Sequence, residues 1–70
     1  MTIGDRLRQL RTDQDWTLEQ TARLAGVSKD TVLDIEADGS SPTLRTVALL
    51  SGAFDLTLSE FLEGVKHGDS

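Results

Sequence analysis

The sequence predicts an all-α domain of five short helices, and three observations predict it. Start and stop signals for helices recur five times along the 70 residues. Apolar residues fall at the spacing of a helix face, and no segment shows the alternation of a strand. With no cysteine and a single histidine, His67, neither disulfides nor a histidine or thiolate metal cluster can staple a less regular fold.

The first helix opens at Thr2, a capping residue, and sets Ile3, Leu7 and Leu10 on one face. Asp13-Gln-Asp15 breaks it. Thr17-Leu-Glu-Gln20 is a capping box, in which the Thr hydroxyl accepts from an orphan amide of the first turn and the Gln side chain reaches back. That second helix ends at Gly26, which takes the left-handed conformation of a C-cap without steric cost. Ser28 caps the third, whose buried stripe is Val32 and Ile35, and Asp38-Gly39-Ser40 stops it. Ser41-Pro42 reads as the opening of the fourth, with Ser as cap and Pro at the first helical position, where its missing N–H costs nothing. Leu44, Val47, Leu50, Ser51 and Phe54 follow at helical spacing. Thr57-Leu-Ser-Glu60 is another capping box and starts a short fifth helix through Phe61, Leu62 and Val65. The predicted domain covers residues 1–65, with a polar tail at 66–70.

With 37 % hydrophobic and 27 % charged residues, the composition is that of an ordinary globular domain. A chain this short buries only about 60 % of its unfolded surface, so a few kcal/mol of stability is expected unless it oligomerises. No apolar run approaches the ~20 residues needed to span a membrane. The opening Met1-Thr-Ile-Gly-Asp-Arg6 lacks the basic-then-apolar order of a signal peptide, so the chain is expected in the cytoplasm. An enzyme is not expected, for there is no Cys, His or paired-carboxylate arrangement suited to a pocket and no phosphate-cradling glycine motif. No cofactor and no metal are expected either. Asp30 and Asp34, one helical turn apart, read as a solvated face and not as a cation site.

The most informative feature is the join between the second and third helices. The short connection Ala25-Gly26-Val27-Ser28 lets two helices cross steeply, as a helix-turn-helix requires. Gly26 supplies the backbone freedom, Val27 fills the gap beneath the turn, and Ala22 is small enough for close approach. The stretches Arg6-Leu-Arg-Gln-Leu-Arg11, Thr17-Leu-Glu-Gln-Thr-Ala-Arg-Leu-Ala-Gly-Val-Ser28, Ile35-Glu36 and Ser41-Pro-Thr-Leu44 together resemble the phage-repressor (Cro-like, xenobiotic-response-element) helix-turn-helix family. The resemblance covers roughly residues 3 to 63. It implies a five-helix lambda-repressor-like domain and a dimeric, sequence-specific regulator that places its third helix in the major groove. It also implies a scaffold ion pair. Glu36 borders the buried stripe on a helical wheel, and the family pairs this glutamate with an arginine of the first helix, here Arg11.

On that resemblance Ser28, Lys29, Asp30, Leu33 and Asp34 would face bases, while Thr17, Arg23, Ser40, Ser41 and Arg45 would lie near phosphates. The trio Arg6, Arg8 and Arg11 offers further cations for the rim of the interface. Leu56, Leu58, Phe61, Leu62 and Val65 are candidates for a dimer seam, since too little chain remains to cover them all. Trp16 reads as a lid on the core.

The sequence departs from its family where the chemistry matters most. The chain carries a net charge of −5, and from Ser28 to Asp38 one Lys stands against Asp30, Asp34, Glu36 and Asp38. Such a face does not supply the counterion release on which DNA affinity largely rests. Carboxylates can accept from cytosine N4, and Asp30 also suits the helix dipole of the first turn. Leu24, Leu33 and Leu49 occupy positions the family fills with polar residues, while Thr21 and Ser51 sit where it buries Leu and Ala. Either the helices are rotated so that the leucines enter the core, or an apolar patch is exposed. The expected partners are therefore an operator in double-stranded DNA and a second copy of the chain. The alternative is a protein-interaction module, antitoxin-like or anti-repressor-like, on the same scaffold.

Overall fold

Five helices make up the described part of the chain, residues 1–39 and 41–65 of a computed structural model: α1 (Ile3–Asp13), α2 (Leu18–Ala25), α3 (Lys29–Glu36), α4 (Leu44–Ala53) and α5 (Leu58–Phe61). The all-α prediction holds for these residues. Ser40 and the tail at 66–70 lie outside them.

Each helix begins on a hydroxyl that accepts from the amide three residues on: Thr2, Thr17, Ser28, Thr43 and Thr57. Thr2 with Asp5, Thr17 with Gln20 and Thr57 with Glu60 are complete capping boxes. The ends share one closure. After α1, α2, α3 and α4 the chain turns left-handed at Asp15, Gly26, Asp38 and Asp55, at φ between 58° and 77°. At each, the next amide reaches back across the last turn, as Trp16 does to Arg11 and Gly39 to Asp34. Three of these positions hold Asp, which tolerates this conformation better than most residues with a side chain.

Three expectations need correction. The fourth helix opens on Thr43 and not on Ser41-Pro42, because the Thr43 hydroxyl accepts from the Thr46 amide at 3.2 Å and meets the Thr46 hydroxyl at 3.1 Å. Leu44 is then the first helical residue, on the outside at 70 % exposure. The fifth helix stops at Phe61, short of Val65, and Gly64 turns left-handed beyond it.

α2 packs on α3 and α4, α1 on α3, and α4 on α5. Their shared core is Leu7, Ala22, Ala25, Val32, Ile35, Val47, Leu50 and Phe61. Trp16 stacks on Phe54 with ring centroids 4.8 Å apart, and Phe54 tilts against Phe61 at 6.4 Å. The half-buried Trp16 thus closes the side of the core, as a lid does. Thr21 and Ser51 are buried, and their hydroxyls donate to the carbonyls of Thr17 and Val47 at 2.9 and 2.8 Å, which removes the penalty of a polar group inside.

Glu36 is the buried charged residue among those described, 5 % exposed. Arg11 meets its carboxylate with two N–H groups, Nε to Oε2 at 2.6 Å and Nη2 to Oε1 at 3.0 Å. The Arg11 Nη1 donates to the Trp16 carbonyl at 2.8 Å. Hydrogen bonding to Glu36 raises the Arg11 pKa further above its ordinary value, aided by charge attraction and opposed by burial. Arg8 adds a bond from Nη2 to the Glu36 carbonyl at 2.7 Å. The ion pair read from the family resemblance is therefore present.

Where the start of α1 crosses the end of α3, a Cβ at Gly4 would collide with the Ile35 carbonyl oxygen and lie 2.6 Å from the Asp38 carboxylate. Two outcomes follow. Arg11→Ala leaves a buried carboxylate with only Arg8 for company and should cost about 3 kcal/mol. Thermal melting without DNA should show a fall of roughly 15 °C for a domain of this size, and an unchanged midpoint would make the pair dispensable. Gly4→Ala, a favourable change in an isolated helix, should instead destabilise by about 2 kcal/mol through overpacking, measurable by urea titration.

Candidate nucleic-acid interface

The geometry of α3 follows from its two ends. Gly26 at φ 77° turns the chain out of α2, and Val27, half-buried against the core, donates its amide to the Ala22 carbonyl. Ser28 then caps α3 by accepting from the Thr31 amide at 3.1 Å, and its hydroxyl shares a bond with the Thr31 hydroxyl at 2.8 Å. The helix buries Val32, Ile35 and Glu36. Its opposite side shows Lys29, Asp30, Leu33, Asp34 and Ala37 to solvent. The structure thus brings the five base-facing candidates onto one helix, Ser28 at its start and the other four along its open face.

Among the described residues no hydrogen bond or ion pair engages the side chains of Lys29, Asp30 or Asp34. Arg11 neutralises Glu36, so the exposed charge of this segment is Lys29 against Asp30, Asp34 and Asp38. Asp38 accepts from the Thr2 hydroxyl at 3.0 Å, which leaves Asp30 and Asp34 as the acids of the open face.

The arginines of α1 do not serve this face. Arg6 donates from Nε to the Phe61 carbonyl at 2.8 Å and from Nη2 to the Glu60 carbonyl at 2.7 Å, closing the end of α5. Arg8 and Arg11 close the end of α3 on Glu36. The exposed cations outside ion pairs, among the described residues, are Arg23 on α2, Lys29 on α3 and Arg45 on α4. Thr17 is exposed, its hydroxyl committed to the Gln20 amide at 3.0 Å, and Ser41 is exposed ahead of α4. Ser40 lies outside the described residues.

The family model for helix-turn-helix domains matches residues 7–61. The chain belongs to the helix-turn-helix family. It is 40 % identical over 58 residues to the HTH-type transcriptional regulator AnsR of Bacillus subtilis, covering 83 % of this chain and 50 % of that one. It is 34 % identical over 59 residues to the immunity repressor protein of Bacillus phage phi105, across 84 % of this chain and 41 % of that one. A solved HTH_3 family transcriptional regulator from Vibrio cholerae superposes with a TM-score of 0.82 at 34 % identity, over 87 % of this chain and 34 % of its own. These relatives are named as regulators and not as enzymes. The chain spans about half the length or less of the relatives it matches.

Within the helix-turn-helix fold the surface leucines are now placed. Leu24, Leu33 and Leu49 are exposed at 56 %, 46 % and 39 %, so rotation of the helices into a rearranged core is ruled out. Phe61 is fully buried and belongs to the core, which withdraws it from the group read as a dimer seam. Leu56, Leu58, Leu62 and Val65 are half-buried and keep some open surface.

Two residues of this region were missed by the sequence reading in their structural role. Gly4 is needed for close approach to α3, and its signal was a glycine inside a helical pattern. Arg6 clamps α5 across 55 positions of chain, a contact with no local signal.

Leu33→Gln should leave stability within about 0.5 kcal/mol of the parent. A loss of about 2 kcal/mol or more in chemical denaturation would mean the side chain is packed inside.

Proposed function

We propose that this chain is a small sequence-specific DNA-binding transcriptional regulator, acting as a homodimer on a two-fold symmetric operator with α3 in the major groove. The observation that carries the reading is the helix-turn-helix itself, with the outer side of α3 left open by every other element. The relatives named as transcriptional regulators and an immunity repressor support it. Residues 1–65 form the DNA-binding domain on this reading. Ser28, Lys29, Asp30, Leu33 and Asp34 then approach base edges, while Thr17, Arg23, Ser40, Ser41 and Arg45 lie toward phosphates. Leu56, Leu58, Leu62 and Val65 furnish the seam between copies. A chromosomal ligand puts the protein in the cytoplasm of a bacterial cell.

A second reading has its own support. The acidic outer side of α3 and the exposed Leu24, Leu33 and Leu49 also suit a protein partner, as in an antitoxin or an anti-repressor. Salt separates the two, because a DNA reader weakens steeply as salt rises and apolar association changes little.

The test is selection from a random duplex pool by the purified protein at low salt. A palindrome with half-sites about 34 Å apart, one helical turn, establishes the operator-binding dimer. No enrichment by a folded protein overturns that reading. On a recovered site, Arg23→Ala and Arg45→Ala should each weaken binding alike across sequences and lower the salt slope by about one, as read by fluorescence anisotropy. An unchanged slope would remove that arginine from the phosphate contacts.

A further inference from the structure

We infer that Asp34 is a specificity determinant, its carboxylate accepting a hydrogen bond from the N4 amino group of a cytosine in the major groove. The inference rests on the DNA-binding reading above and names the base that one position of that site takes.

Nothing in the described fold stabilises the Asp34 carboxylate. It lies in the last turn of α3, where the helix dipole disfavours an anion and no basic residue offsets it. Asp30, one turn earlier on the same side, adds like-charge repulsion. No cation or hydrogen-bond donor among the described residues meets its side chain, in contrast to Glu36 two positions on, which meets Arg11 and Arg8. Asp30 differs, because its place in the first turn gives a negative charge a local benefit.

The chemistry of the groove then selects the base. A carboxylate is an acceptor with no proton to give, so it is repelled by guanine O6 and N7 and by thymine O4. Cytosine N4 presents a donor there, and accepting from it is the pairing expected of Asp or Glu. Adenine N6 is a donor too, but N7 beside it is an acceptor and suits an amide, which carries one group of each kind. Its open-side neighbours at helical spacing are Asp30 and Ala37, and neither offers a proton that would satisfy the carboxylate in place of the cytosine amino group.

The decisive comparison is the full chain against Asp34→Asn, each used to select from the same random duplex pool. The substitution keeps shape and exposure, so folding is unaffected and circular dichroism of the two should agree. Wild type should fix cytosine at one position of each half-site, and Asp34→Asn should exchange that cytosine for adenine while the other positions stay as they were. Replacing the cytosine by thymine in the wild-type site should weaken wild type about tenfold, within the range for loss of a good base contact. If Asp34→Asn selects the same site and merely binds every sequence more tightly, Asp34 only repels phosphate. That result overturns the inference and leaves the DNA-binding reading standing. If wild type enriches nothing, both fall.

Discussion

The Glu36 carboxylate has to be held, and much of the fold is arranged by what holds it. It sits one residue past Ile35 on the buried side of α3. An unpaired charge there would cost more than a small domain can lose. Arg11 answers with two N–H groups and spends a third on the Trp16 carbonyl, so the corner between α1 and α2 is tied to the end of α3 through one guanidinium. Arg8 takes the Glu36 carbonyl, and Gly4 lets the helices come close enough for both. Turning α3 about its axis would unpair the carboxylate. A pinned inner side means a pinned outer side, which is why Asp30, Leu33 and Asp34 must face solvent and why Leu33 cannot be swung into the core.

The local signals were the legible ones, because they are settled within a few residues. Four of the five helix starts and the Gly26 turn could be read from hydroxyls and glycine at their spacing. The start of α4 failed because two hydroxyls, Ser41 and Thr43, flank one proline. Only Thr43 has a partner hydroxyl three residues on. Asp15 and Asp38 were legible as parts of polar breaks, yet not as left-handed residues that close helices, and Asp55, which closes α4 in the same way, was not read at all. Contacts between distant segments left no trace of that kind. The grip of Arg6 on α5 and the burial of Phe61 depend on how α4 and α5 return to α1. The outer side of α3 was identifiable once its buried stripe was known, since each is the complement of the other.

The same arginines settle the electrostatics of the proposed interface. In a chain of net charge −5, three of the seven basic residues are spent on closing α3 and α5. Among the described residues Arg23, Lys29 and Arg45 remain exposed outside ion pairs, one on each of α2, α3 and α4. On the DNA-binding reading, the three free cations among the described residues release few counterions per copy, so sequence-independent attraction is weak. The affinity of such a domain has to come from contacts that are made correctly or not at all and, if the proposed dimer forms, from two copies acting together.

An acidic reading side then acts in a direction that raw affinity conceals. Discrimination is a difference between binding the right site and binding every other site, and it grows when the wrong sites are penalised. A carboxylate in the major groove is repelled wherever acceptors line the groove floor and is satisfied only where a base offers a proton. It lowers affinity for nearly all sequences and restores it at few. For a regulator of the proposed kind, facing a chromosome of competing sites, the quantity that matters is the ratio of specific to non-specific binding. Asp34 sacrifices the common attraction of a basic helix, and what it can gain in return is rejection.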